Sequence, residues 1–392
     1  MDALTKPLAL RGGMYHGLAP ALLSATADRS LLLLGSFALL LAGAEVFTNG
    51  VEWLGHRLGV SESATGSILA AVGTALPETL IPVLAILQGG EEAAHVGVGA
   101  ILGAPFMLAT IAMFLVGASV LRFRDRRTFG DEMHFNDAAT RRDLSFFLVG
   151  YVVAFAAAFV DARPVEYAMA AFLLVLYLVY LVRSLRSGEL TESEDIDALH
   201  LGLLVERALA GLGYDPREHG ENPRFVLVAA QTLFALAVIV GGAHLFVSEV
   251  QWLSTHVLDV PIAIVALLIA PLATELPEKF NSVLWISRDK DTLALGNITG
   301  AMAFQGTLPV TLGIVFTDWD LSLAWGTSGF LNAVSVVLAV VSGGILYLRA
   351  RTAAEDPMKP RPFLVGGLFY AVFIALVVYF VLVLGVTASA GH

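Results

Sequence analysis

The chain has 392 residues, 57% hydrophobic and 15% charged, with a formal net charge of −11. A soluble protein of this length carries about a quarter charged residues, so most of this chain is built for lipid rather than water. It has no cysteine, which excludes disulfides and thiolate metal sites, and its acidic balance argues against nucleic acid as a partner.

In chain order, residues 1–30 hold a short apolar run broken by Gly12, Gly13, Pro20 and Asp28. No small-residue cleavage site follows a strong apolar core, so a loosely ordered or interfacial N-terminal tail is expected rather than a cleavable signal. Apolar blocks follow at 31–54, 61–87, 95–120, 144–161 and 164–184, then at 224–250, 260–287, 292–316, 321–348 and 363–386. Each approaches the roughly 20 residues that a bilayer core demands of a helix. The expected fold is therefore an all-α polytopic membrane protein with ten transmembrane helices. The longest break, 185–223, is an acidic loop, and it separates a first five-helix half (31–184) from a second (224–386).

Of the 23 Lys and Arg residues, all but Lys6, Arg11, Arg29, Arg163 and Lys279 fall on one side of the expected membrane. The positive-inside rule makes that side cytoplasmic. Both termini are then expected outside and the 185–223 loop in the cytoplasm. The expected location is the cell membrane of a prokaryote, with the lipid bilayer and inorganic cations as partners.

The two halves resemble each other. Ala44-Glu45-Val46-Phe47 aligns with Ala243-His244-Leu245-Phe246 at an offset of 199. Ser67–Glu78 aligns with Leu267–Glu278 at an offset of 200, and Gly99–Ala104 with Gly296–Ala301. The similarity centres on a first repeat at about 61–120 and a second at about 260–316. An odd number of spans per half inserts the second repeat upside down. Such inverted repeats are the plan of many secondary transporters, with the binding site at the repeat interface.

Thr74-Ala-Leu-Pro-Glu78 and Thr274-Glu-Leu-Pro-Glu278 fall mid-span. Proline within a helix removes a donor and frees carbonyls. In a bilayer those carbonyls need a partner, and hard cations take several oxygen ligands. Each threonine lies four residues before its glutamate, on the same helix face. A kink with a paired glutamate is the plainer reading, but ionisable groups at the bilayer centre are costly to keep, and here there are two at equivalent positions. Glu78 and Glu278 are thus the candidate metal-binding carboxylates. Gly99, Gly103, Gly296 and Gly300 have the four-residue spacing of close helix packing, which would bring their helices against the broken ones and offer the Gln305 amide.

These motifs resemble those of the sodium/calcium exchanger superfamily, whose repeats carry Gly-Thr-Ser-Leu-Pro-Glu and Gly-Asn-x-x-Gly-Ser-Asn. Gly73–Glu78 keeps all but the serine; Ala273–Glu278 keeps Thr, Leu, Pro and Glu; Gly296–Gly300 keeps both glycines and Asn297. The resemblance implies Glu78 and Glu278 as central ion ligands, with Thr74, Thr274 and carbonyls near Ala71 and Pro271. Departures from the pattern are Ala75, Ala104 and Ala301 in place of serines, Leu108 in place of an asparagine, and Gln305 where Asn or Asp is common. They put a full set of three Na⁺ sites in doubt.

Glu275 has no counterpart in the first repeat and is followed at i+4 by Lys279. The two form either a self-neutralising pair, or a third titratable ligand with Lys279 standing in for one cation. Glu45 and His244, equivalent in the repeat, serve either packing or a proton or gating role. The expected function is a sodium/calcium exchanger-like cation antiporter working by alternating access. A Ca²⁺/H⁺ or Na⁺/H⁺ exchanger is the alternative, and a non-transporting scaffold the distant one. No enzyme motif is present, and no cofactor is expected beyond Ca²⁺, Na⁺ or H⁺ bound in transit.

Overall fold

The computed structural model describes residues 9–57, 76–186, 197–210, 223–319, 321–353 and 357–386. Among these residues the regular structure is helical, and the one β contact is an isolated bridge between Met133 and Met358. In order the helices are α1 (Ala9–Arg57), α2 (Leu76–Gln88), α3 (Glu91–Met107), α4 (Met113–Phe123), α5 (Asp137–Ala157), α6 (Arg163–Arg186) and α7 (His200–Ala210). There follow α8 (Phe225–Leu253), α9 (Ile262–Thr274), α10 (Leu276–Ile286), α11 (Asp291–Gln305), α12 (Leu308–Phe316), α13 (Ser328–Ala350) and α14 (Arg361–Leu382).

Seven stretches of the described residues are long and apolar enough to cross a membrane, by length and composition: Ala27–Leu54, Glu92–Phe123, Arg163–Ser184, Phe225–Leu258, Asp291–Phe316, Ser328–Ala350 and Arg361–Leu382. The three further expected spans each differ for a local reason. The first part of 61–87 lies outside the described residues, leaving α2. The span at 144–161 belongs to α5, whose opening turns hold Asp137, Arg141, Arg142 and Asp143. The span at 260–287 is broken into α9 and α10. At the other end of the chain, α1 begins at Ala9, so residues 9–30 are helical and run on into the first expected span.

Two hydrophobic cores meet at a seam. The larger is built from α3 to α6 and α9 to α14, the smaller from α1, α8 and α2 with faces of α3 and α9. Ile264 and Leu267 of α9 face the larger core, while Val265, Ala266 and Ala270 face the smaller. A helix that is apolar all round is buried all round, and the sequence IAIVALLIA of α9 leaves it no polar face to expose. Apolar side chains gain little by leaving lipid for one another, so close backbone approach carries helix packing. Gly99 and Gly103 provide it. A Cβ on either would collide with a carbonyl of α9, that of Ala263 or Leu267 respectively.

Between α3 and α4 the helix widens into a π-helical turn at Leu108–Ala112, just after Pro105. The carbonyls of this turn are met from the side. Ser342 Oγ of α13 donates to Ala109 O at 2.5 Å, and Gly366 of α14 packs on the Thr110 carbonyl.

Where α4 leads to α5, the Arg127 guanidinium is buried and uses every N–H. It forms a two-pronged pair with Asp291 at 2.7 Å on each prong, and it donates to the carbonyls of Gly130, Glu132 and Ile286. Asp291 Oδ2 also accepts the His134 amide at 2.9 Å. The first half is thereby joined to the start of α11 in the second.

Part of the 185–223 loop is helical and docks on α1 and α8. Asn49 Nδ2 and Trp53 Nε1 donate to Asp197 O at 3.0 and 2.9 Å. Gln231 Oε1 of α8 accepts the Leu201 amide, and its Nε2 donates to Asn49 Oδ1 and Val46 O. Leu199 is buried between Trp53 and Val228.

Candidate functional site

The second repeat breaks between Thr274 and Leu276. Pro277 cannot continue the ladder of α9, but it suits the first turn of α10, where it stands. The break leaves Glu275 between the two helices, with φ −86° and ψ 2°. Thr274, Glu275, Glu278 and Lys279 are all buried, Glu275 with no exposed surface.

Their hydrogen bonds are few. Gln305 Nε2, at the end of α11, donates to Glu275 Oε1 at 2.6 Å. Lys279 Nζ donates to Pro271 O at 3.2 Å and lies 3.9 Å from Met107 Sδ of α3. The Pro271 carbonyl also accepts the Glu275 amide at 3.1 Å. Thr274 Oγ1 donates back to Ala270 O at 3.2 Å, which leaves its lone pairs available. Asn297 Nδ2 donates to Glu278 O and Ser282 Oγ, and Ser282 Oγ donates on to Ala294 O, so α10 and α11 are held together. Three buried acceptors, Glu275 Oε2, Glu278 Oε2 and Gln305 Oε1, have no donor among the described residues. Buried acceptors are nearly always paired. Two carboxylates and an amide oxygen in this condition suit a cation.

The structure thus brings Pro271, Thr274, Glu275, Glu278, Lys279 and Gln305 to one buried place. Ala71 and Thr74 lie outside the described residues. So does the side chain of Glu78, although its backbone stands in the first turn of α2. Among the described residues there is no group of three or more His, Asp or Glu side chains placed to hold a metal. Glu45 and His244 are exposed: Glu45 is 3.9 Å from His200 Nε2, and His244 Nδ1 is 3.0 Å from Gln88 Nε2. Gly99 and Gly103 seat α9 as described. Among the described residues nothing lies within 4 Å of a Cβ at Gly296, and one at Gly300 meets the Tyr180 hydroxyl at 3.5 Å.

Sequence reasoning passed over Met107 and Ser282, which carry no motif. It also passed over Asp143, a buried carboxylate that accepts from Thr299 Oγ1 at 2.8 Å. A polar face, Thr140 and Asp143, on an otherwise apolar helix was the available signal.

Comparison with known proteins places the chain in a family. The family model described as sodium/calcium exchanger protein matches the chain twice, over residues 30–186 and 227–383. CaxA of Alkalimonas amylolytica, described as a candidate antiporter, is 23% identical over 319 residues, covering 80% of this chain and 89% of the relative. The crystal structure of the H⁺/Ca²⁺ exchanger CAX superposes with a TM-score of 0.58 at 16% identity, covering 92% of this chain and 91% of that one. The sodium-calcium exchanger NCX_Mj, soaked with Na⁺ and Sr²⁺, gives 0.53 at 19% identity, with 89% and 98% covered. These structural likenesses establish a shared fold. With both halves matched by one model and the fold shared over most of the chain, the chain belongs to the sodium/calcium exchanger protein family of membrane transporters.

Proposed function

We propose that this protein is a secondary-active antiporter exchanging Ca²⁺ for a monovalent cation at the carboxylate site of the broken helices. The observation that carries this reading is the trio of buried acceptor oxygens on Glu275, Glu278 and Gln305 without a donor among the described residues. A calcium ion takes 6–8 oxygens. Glu78 and Thr74 of the first repeat, with the Ala71 carbonyl, complete the set in this reading. The double family match and the offsets between the halves support ten spans arranged as two inverted repeats; the Lys/Arg bias supports termini outside and the 185–223 loop in the cytoplasm.

The cycle is alternating access. α1 and α8 slide together over the remaining helices, consistent with their close packing on each other in the smaller core. An empty site carries charge that resists burial; a bound cation offsets it and permits the movement. Na⁺ is the first coupling ion by family. The Glu275–Gln305 contact favours a second reading, in which H⁺ is the coupling ion and Glu275 the carrier.

The test is Ca²⁺ uptake into proteoliposomes under a Na⁺ gradient or a pH gradient. Uptake is expected, and Glu278→Gln is expected to lower it by about tenfold or more, the effect of losing one charged ligand. Uptake driven by Na⁺ and indifferent to pH removes the proton reading. Flux unaltered by Glu278→Gln removes the site.

A further inference from the structure

The two halves differ in charge at equivalent places. At the offset of 200, Glu278 corresponds to Glu78, but Glu275 corresponds to Ala75 and Lys279 to Thr79. The second half has therefore gained one acid and one base, and both are buried beside Glu278. A buried ammonium is costly unless it is placed against opposite charge and hydrogen-bonded. Lys279 meets that condition at a definite point, the Pro271 carbonyl in the last turn of α9, 3.2 Å from Nζ. The C-terminal end of a helix carries partial negative charge and attracts cations.

We propose that Lys279 is a tethered cation: its ammonium occupies the cation position at the end of α9 and lowers by one the number of monovalent charges exchanged for each divalent ion. With both carboxylates ionised and the ammonium charged, the cluster of Glu275, Glu278 and Lys279 carries one net negative charge. Without the lysine it holds two, and a further mobile cation must enter to balance it. Lys279 is in this sense a stoichiometry-determining residue. The inference rests on the antiport reading above.

Stoichiometry is read from the steady state. With the potential clamped at zero by valinomycin and equal K⁺ on both sides, the logarithm of the Ca²⁺ ratio is linear in that of the driving Na⁺ or H⁺ ratio. The slope is the number of monovalent ions per Ca²⁺. Lys279→Met is expected to raise the slope by one, so that a tenfold driving gradient supports an accumulation about tenfold higher. Lys279→Arg is expected to keep the original slope. Glu275→Gln is expected to lower it by one, and Glu275→Gln/Lys279→Met to restore it.

An unchanged slope in Lys279→Met overturns the proposal. If that variant fails to insert, an unchanged slope in Glu275→Gln does so instead. Absence of Ca²⁺ uptake under either gradient in the unaltered protein is a different failure, that of the antiport reading itself, and the proposal falls with it.

Discussion

A polar atom sealed from water without a partner costs on the order of 1–3 kcal/mol, and more when the group is charged. Glu275 and Glu278 each keep one such oxygen, and the proposed function assigns both to the cation. Arg127 and Asp291 show the opposite design, with every donor of the guanidinium used. Breaking a buried pair by removing one partner costs about 3–5 kcal/mol. Arg127→Met is accordingly expected to lower the melting temperature in detergent sharply, more than Arg124→Met, since Arg124 is paired at the surface. The motif around Glu278 was legible from residue type and spacing. The contact of Lys279 with Pro271 was not. An i+4 rule points to Glu275, whereas the break also brings the ammonium to a carbonyl eight residues earlier. No spacing rule for an unbroken helix reaches that far.

At the scale of elements, the seam between α3 and α9 depends on two missing side chains. Gly103→Ala places a methyl group into the Leu267 carbonyl. Overpacking of this kind costs about 1–3 kcal/mol, and relief requires α9 to move, with the site at its end. Gly103→Ala is expected to lower both melting temperature and Ca²⁺ flux. Gly344→Ala, which meets nothing within 4 Å among the described residues, is expected to keep stability or raise it by up to about 1 kcal/mol. The glycine spacing in the sequence predicted close packing, but not the partner, which only the tertiary fold supplies. Helix existence was readable from apolar blocks. The division of 260–287 into α9 and α10 was signalled by Pro271 and Pro277, of which Pro277 lies at the break and Pro271 within α9.

At the scale of the whole molecule, α1 and α8 form one packed pair. Gly242 approaches Leu39 so closely that a Cβ there would lie 3.2 Å from the Leu39 Cβ. The chain has no cysteine, so an engineered pair reacts without competitors. Leu39→Cys/Gly242→Cys, oxidised, is expected to leave Ca²⁺ flux largely intact, because in the proposed cycle the two helices travel together. Gln88→Cys/His244→Cys, joined by a short bifunctional thiol reagent, ties α8 to α2 and is expected to arrest flux until released. The amino-acid pattern exposed the duplication behind this division. It did not expose the docking of 197–201 on Asn49 and Gln231, because those contacts run from side chains to backbone and leave no compositional trace.

The joint between Arg127 and Asp291 spans 164 positions of the chain. During synthesis the arginine emerges long before its acid. The newborn first half must hold that cation in water until the second half has been threaded into the bilayer, so this joint closes late in assembly and reports that both halves have arrived.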